Sequence, residues 1–165
     1  MPSLCVLGLG YIGLPTASIF ATKGRRVLGV DVSASVVDTI NSGRIHIQEP
    51  DLDVLVRAAV QSGNLKAATS PAPADIFILA VPTPFLASAD GARKPDLSFV
   101  EAAARSIAPH VASGNLVILE STSPVGTTEK VKGWLEAELA RLGRKVDGLL
   151  YAHCPERILP GQMLK

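Results

Sequence analysis

The sequence predicts an α/β fold, a doubly wound parallel sheet of about six strands with helices on both faces, and three observations predict it. Short apolar runs alternate with stretches of helical period along the whole chain. The first run, Leu4–Leu7, passes straight into Gly8-Leu9-Gly10-Tyr11-Ile12-Gly13. The second, Arg26–Val30, ends on an acid, Asp31. A Gly-x-Gly-x-x-Gly turn between strand and helix, with an acid closing the next strand, is the Rossmann-type arrangement for holding a dinucleotide.

Each residue of that turn has a physical task. Gly8 permits the tight exit from the strand, and Gly10 lets the backbone approach a pyrophosphate with no Cβ in the way. Gly13 lets the helix pack close to the sheet. The helix N-terminus offers unpaired N–H groups and a partial positive charge to phosphates. Gly8, Gly10, Tyr11, Ile12 and Gly13 are therefore candidate cofactor-binding residues, with Asp31. The Asp31 carboxylate can accept hydrogen bonds from ribose hydroxyls and would repel a 2′-phosphate, so the expected cofactor is NAD rather than NADP.

The remaining elements follow in order. Tyr11–Thr22 reads as the first helix, with Pro15 tolerated in its first turn. Ser33 reads as the N-cap of a helix carrying Val36, Val37 and Ile40, closed by Asn41-Ser42-Gly43. Pro50–Val60 is a helix with Leu52, Leu55, Val56 and Ala59 on one face. Leu65–Thr69 is the third strand. Asp75–Val81 is a strongly apolar fourth strand that runs into Pro82-Thr83-Pro84. Phe85–Pro95 is polar and glycine-containing and reads as a surface loop. Ser98–His110 is a helix with Phe99, Ala102, Ala103 and Ile107 inward. Leu116–Glu120 is the fifth strand. Thr127–Leu142 is amphipathic, with Val131, Trp134, Leu135, Leu139 and Leu142 on one stripe, so Trp134 is expected in the core. On the plainer alternative for Ser123-Pro124, a helix-entry turn, Thr127 or Thr128 is its N-cap. Gly148–Ala152 is a sixth strand ending at His153-Cys154-Pro155-Glu156. The expected sheet order is 3-2-1-4-5-6.

Composition narrows the function. A chain of 165 residues with 47% apolar residues argues for one domain with a real core. The formal net charge of +1 gives no sign of a nucleic-acid or anionic-membrane surface. Met1–Thr22 lacks charge, but it also lacks a basic leader, and its glycines and Pro15 break any apolar span, so a cytoplasmic protein is expected. Two cysteines and three scattered histidines imply no disulfide framework and no metal site.

In an open α/β sheet, ligands bind outside the carboxyl ends of the strands. Four such ends here are unusual: the glycine turn, Val81-Pro82-Thr83-Pro84, Glu120-Ser121-Thr122-Ser123-Pro124-Val125-Gly126-Thr127, and Cys154-Pro155-Glu156-Arg157-Ile158-Leu159-Pro160-Gly161. With Ile45-His46-Ile47-Gln48-Glu49-Pro50-Asp51-Leu52, these segments resemble the N-terminal NAD-binding domain of the UDP-glucose/GDP-mannose dehydrogenase family. The resemblance covers essentially the whole chain. The Glu-Ser-Thr-Ser-Pro-Val-Gly and Cys-Pro-Glu-Arg forms are similar to the branch that acts on UDP-N-acetyl-D-mannosamine.

That resemblance implies oxidation of a sugar C6 alcohol to a carboxylate with two NAD, through an aldehyde and a cysteine thioester that is then hydrolysed. It implies that Thr122 lies by the nicotinamide and helps hold the hydrolytic water, that Glu156 is the acid associated with that water, and that Thr83 contacts the cofactor. Thr122 and Glu156 are thus the candidate catalytic residues. The expected partner is a UDP-linked nucleotide sugar, in a homodimeric full-length protein serving polysaccharide biosynthesis. Alternatives are UDP-glucose, UDP-N-acetylglucosamine or GDP-mannose as substrate, or a truncated nucleotide-binding module without catalysis. The family's nucleophilic cysteine, lysine and asparagine belong to a later part. Residues 1–165 are therefore expected to be the front of a longer dehydrogenase, inactive alone, with a packing surface left exposed. Cys154 is not that nucleophile and is expected to be a small packing residue. Two departures stand out. Ser33-Ala34-Ser35-Val36 holds no adenine-side arginine, and Pro160 stands where other relatives carry a second glutamate, so neither contact is carried over.

Overall fold

The computed structural model describes residues 1–87, 93–156 and 161. In chain order the elements are β1 (Leu4–Leu7), α1 (Gly13–Thr22), β2 (Val27–Val30), α2 (Ala34–Asn41), α3 (Leu52–Gln61), β3 (Leu65–Ala68), β4 (Ile76–Leu79), β5 (Phe85–Ala87), β6 (Arg93–Pro95), α4 (Ser98–Ser106), β7 (Leu116–Leu119), α5 (Thr127–Arg141) and β8 (Leu150–His153). Six strands form one sheet in the order β3-β2-β1-β4-β7-β8, parallel throughout. Counted in chain order, these are strands 3-2-1-4-5-6, the expected doubly wound topology.

The strands are apolar on both faces because helices cover both. Leu4 and Val6 of β1 join a core with Leu14, Ala17, Ile40 and Val56 from α1, α2 and α3. Cys5 and Leu7 point the other way, into a core with Val100 and Ala104 of α4 and Val131 and Leu135 of α5. Burial pushes the Cys5 thiol up to about 11, so it is an unreactive packing group. Consecutive residues of one strand thus feed two cores, which is why these runs show no polar alternation. Ser33 caps α2 as expected, its Oγ accepting the Val36 N–H at 3.4 Å. Asn41, at the end of α2, pairs its side-chain amide with both backbone groups of Ala67, at 3.0 and 2.8 Å, and covers part of the open edge of β3.

Four expectations need correction. Phe85–Pro95 is not a plain loop: β5 and β6 form an antiparallel ribbon with Phe85 opposite Pro95 and Ala87 opposite Arg93. Its base is tied by the Asp96 N–H to the Pro84 carbonyl at 2.6 Å. The α4 helix stops at Ser106, and its buried residues are Val100, Ala103 and Ala104, followed by Ile107, so Phe99 and Ala102 face outward. Neither Thr127 nor Thr128 caps α5. Gly126 occupies the cap position at φ 86°, and the Thr127 hydroxyl turns back to the Pro124 carbonyl at 2.7 Å. Along α5, Val131, Leu135 and Leu139 are buried, Trp134 is half-buried against the same core, and Leu142 is exposed beyond the helix end.

Candidate functional site

The glycine turn joins β1 to α1 at the carboxyl edge of the sheet. Gly8 has φ 89°, and a Cβ there would come within 2.6 Å of the Ala80 carbonyl oxygen. A Cβ on Gly13 would sit 1.8 Å from the Gly8 carbonyl oxygen. These two glycines are demanded by the protein's own packing. Gly10 differs, because a Cβ there would meet no atom within 4 Å. The space a Cβ would take is open, which fits a ligand approaching the backbone. No side chain caps α1, whose N-cap residue is Ile12, so its first amides have no side-chain acceptor. Tyr11 is exposed at this corner and Ile12 half-buried. Leu9 is buried beneath the turn against Gly29 of β2, where a Cβ would come within 2.8 Å of the Leu9 side chain.

Asp31 closes β2 and faces the same turn. Its Oδ2 accepts the Leu9 N–H at 3.1 Å and its Oδ1 accepts the Ser33 N–H at 3.0 Å. The carboxylate therefore holds the glycine turn in place while keeping lone pairs for further donors. It borders a cleft of about 430 Å³ whose walls include Gly8, Val32, Pro71, Val81 and Phe99. This explains the outward turn of α4: Phe99 and Ala102 line the cleft instead of the core. Among the described residues no lysine or arginine lines it, so none of these would neutralise a 2′-phosphate there.

On the other side of β1, the loops after β4 and β7 are bound to each other. The Thr83 hydroxyl donates to the Thr122 carbonyl at 2.6 Å. The buried Ser121 hydroxyl donates to the Val81 carbonyl at 2.6 Å and approaches that of Leu79 at 3.2 Å. Thr83 thus spends its proton on the loop of Thr122, and its oxygen remains an acceptor. Thr122 is exposed and Glu156 is half-buried, three residues past β8. Arg157, Ile158, Leu159 and Pro160 lie outside the described residues. Cys154 is exposed rather than packed: β8 has ended, and no helix among the described residues covers it. Its N–H is held by the Leu119 carbonyl at 3.0 Å.

Three residues here had no role assigned from the sequence. Ser121 is the clasp between the loops. Glu49, in the segment before α3, is buried and accepts the Gly161 N–H at 2.7 Å, so it brings that segment beside the chain that follows β8. Glu120 ends β7 with Oε1 accepting the Thr16 hydroxyl at 3.0 Å, while Oε2 is buried with no hydrogen-bond partner among the described residues. Burial pushes the Glu120 carboxyl above its ordinary range, and the charge of Glu156 adds to this. A side-chain direction across two strands is what links Glu120 to Thr16, and only the order of β1, β4 and β7 in the sheet reveals it.

Fold and site together define a class: a dinucleotide-binding domain suited to NAD. Comparison with known proteins then gives the family. The model of the UDP-glucose/GDP-mannose dehydrogenase family, NAD binding domain, matches residues 2–165, and the chain belongs to this family. It is 56% identical to an NDP-N-acetyl-D-galactosaminuronic acid dehydrogenase of Ralstonia nicotianae, over 99% of this chain and 39% of that protein. It is 53% identical to a UDP-N-acetyl-D-mannosamine dehydrogenase of Campylobacter jejuni, over 98% of this chain and 40% of that protein. The solved UDP-N-acetyl-mannosamine dehydrogenase of Staphylococcus aureus superposes with a TM-score of 0.86 at 42% identity, over 98% of this chain and 38% of that one. The chain spans about two fifths of the length of the curated relatives it matches. Among the described residues, no helix is long and apolar enough to cross a membrane.

Proposed function

We propose that this chain is the NAD-holding domain of a nucleotide-sugar 6-dehydrogenase that oxidises the C6 alcohol of UDP-N-acetylmannosamine to the uronate. The carrying observation is the junction of the β4 and β7 loops through Thr83 and Thr122, at the carboxyl edge that also bears the glycine turn and Glu156. Bound NAD supplies a hydride acceptor, used once for the alcohol and once for the aldehyde. The amides of Gly10–Gly13 would hold its phosphates and Asp31 its adenosine ribose. Thr83 fixes the loop of Thr122, and these two would take the nicotinamide end. In the hydrolytic step, Thr122 hydrogen-bonds the attacking water and Glu156 takes its proton as the oxygen adds to the thioester carbon. The thioester cysteine lies in a part of the protein outside residues 1–165, so these residues form the front domain of a longer homodimeric enzyme. A cytoplasmic place in polysaccharide biosynthesis accompanies this reading. The names of the relatives support an N-acetylated sugar, and the 56% identity to a galactosaminuronate-type dehydrogenase favours an N-acetylgalactosamine nucleotide as the second reading.

Calorimetric titration of this chain with NAD and NADP, beside turnover of UDP-N-acetylmannosamine by the full-length gene product, tests the proposal. The expected result is NAD binding by the domain, weaker NADP binding, and two NADH per sugar from the full-length enzyme only. Sugar oxidation by residues 1–165 alone, or one NADH per sugar from the full-length enzyme, would overturn it.

A further inference from the structure

We propose that Glu49 is a positioning residue: its buried side chain pins the chain after β8, so that residues 154–161 form a loop fixed at both ends. The catalytic consequence rests on the reading of Glu156, within that loop, as the group that serves the hydrolytic water; the clasp itself does not.

The clasp begins in a turn. Pro50 and Asp51 are the central residues of Glu49-Pro50-Asp51-Leu52, closed by the Leu52 N–H on the Glu49 carbonyl at 3.4 Å. Asp51 stands at φ 63° and ψ −5°, so this is a type II turn, with proline at its favoured place and an aspartate where glycine is usual. Among the described residues, no other residue except glycine has a positive φ. Such a conformation persists where its surroundings over-determine it. Here the two outer residues of the turn, Glu49 and Leu52, are both buried. Leu52 opens α3 inside the core shared with α1 and α2, so the backbone of Glu49 is fixed against that core.

The Glu49 side chain spans a long stretch of sequence. The residue is 6% exposed, and its Oε2 accepts the Gly161 N–H at 2.7 Å, across 112 positions. A carboxyl group taken from water needs donors, and a backbone N–H on a charged acceptor makes one of the stronger hydrogen bonds. Gly161 has φ 85°, so its amide is presented from backbone that glycine adopts readily. The other end of the loop is held at the sheet, where the Cys154 N–H binds the Leu119 carbonyl at 3.0 Å. Closing a loop at both ends removes conformations open to a chain held at one. Glu156 lies within this loop. Leu119 of β7 pairs with His153 of parallel β8. Thr122 stands three residues past Leu119 and Glu156 three past His153, so restraining the loop after β8 restrains the separation of these two.

Two measurements test the clasp and its consequence separately. The first is amide hydrogen exchange by NMR in the 165-residue chain, in wild type, Glu49→Ala, Glu49→Asp and Glu49→Gln. Removing a hydrogen bond to a charged group is expected to speed exchange at Gly161 about tenfold to hundredfold in Glu49→Ala. Glu49→Asp withdraws the acceptor by about 1.5 Å, beyond bonding reach, and is expected to do the same; it serves alone if Glu49→Ala does not fold. Glu49→Gln keeps an acceptor oxygen and is expected to restore most of the protection. Amides of β1 and β4 are expected to be unchanged in all. Exchange of Gly161 at the wild-type rate in the folded Ala or Asp variant would overturn the clasp.

The second is turnover of UDP-N-acetylmannosamine by the full-length gene product. Glu49→Ala, or Glu49→Asp in its place, is expected to lower kcat about tenfold to hundredfold with KM for NAD unchanged. A burst of two NADH per site is expected to precede the slow phase, because the thioester forms normally and waits for hydrolysis. Glu49→Gln is expected to recover most of the rate. A merely structural loss would not spare the burst and KM together. Wild-type kcat in the Ala or Asp variant, or an equal fall in Glu49→Gln, would overturn the positioning role. One NADH per sugar from the wild-type enzyme would instead count against the proposed reaction and leave the exchange result standing.

Discussion

A methyl group added at Gly10 and, separately, at Gly13 should have opposite consequences for stability and the same consequence for NAD. In Gly13→Ala the new Cβ starts 1.8 Å from the Gly8 carbonyl oxygen. Comfortable C···O contacts lie at about 3.3 Å, so turn and helix must separate by roughly 1.5 Å. Overpacking of this kind costs about 3 kcal/mol, the upper end of the usual range, because the clash is with backbone. For a domain of this size that is a fall in Tm of about 6–12 °C. In Gly10→Ala the Cβ meets nothing within 4 Å, and Gly10 is outside the left-handed region. A compatible Gly→Ala change stabilises by about 0.4–1 kcal/mol through the unfolded chain, so Tm should hold or rise by a few degrees. Yet the methyl occupies the proposed approach of the pyrophosphate. Losing one amide bond to a charged group costs about 1.5–3 kcal/mol, a tenfold to hundredfold weaker Kd. Thermal melts and calorimetric NAD titrations of both variants read the two quantities. Gly10→Ala with wild-type NAD affinity would refute the assignment of that space to phosphate. Gly13→Ala melting within about 2 °C of wild type would refute the packing argument.

Other variants test the cleft and its edge. Asp31→Ala should weaken NAD binding about tenfold to hundredfold and narrow the NAD/NADP ratio, since both the ribose acceptor and the acceptor of the Leu9 and Ser33 amides are lost; an unchanged ratio in parallel titrations would remove Asp31 from the selectivity argument. Phe99→Ala should leave Tm within about 4 °C of wild type, because the ring is 46% exposed, while weakening NAD by about 1 kcal/mol, or roughly fivefold; unchanged affinity would detach α4 from the cofactor. Ser121→Ala should lower stability by about 1–2 kcal/mol, since the Val81 carbonyl loses its 2.6 Å donor in a buried setting, which a denaturant titration reads. Glu120 also gives stability a pH dependence of known sign. Its folded pKa is raised, so between the unfolded value and the folded value the native state binds more protons than the unfolded one, and stability falls as pH rises. Glu120→Gln should therefore gain stability relative to wild type as pH rises from the ordinary glutamate range through the raised folded value, and a gap that stays constant or shrinks would show that Glu120 is ionised without cost.

What could be read before folding was what depends on local backbone. Gly8 and Gly13 are fixed by contacts a few residues away or on the neighbouring strand end, and a short motif captures them. Ser33 caps α2 through a bond within one turn. The sheet order follows from alternation of strands and helices and the switch at the glycine turn, both visible as pattern. The face of α4 was not legible in the same way. Phe99 was placed inward with Ala102, Ala103 and Ile107, yet it lines the cleft beside Asp31, where its ring is exposed. The β5–β6 ribbon escaped because its strands are three residues each and β6, Arg93-Lys94-Pro95, is polar, so no apolar alternation marks the pair.

The site followed the same division. Asp31 was predicted for its reach toward a ribose, and its bonds to Leu9 and Ser33 add that it also braces the turn it faces. Thr83 and Thr122 were predicted as separate ligands of the cofactor, but a 2.6 Å bond makes them one unit, so a change at Thr83 acts partly through Thr122. Glu120 stood within a recognised segment without a role. Its chemistry arises because β7 lies beside β8 in the sheet, because α1 packs over the same face, and because α1 has no charge to offer. A carboxyl in that position is costly to ionise, and a neutral side chain would fill the space more cheaply. Its placement two residues before Thr122, at the carboxyl edge of the sheet, argues that it serves that edge rather than the packing of the core.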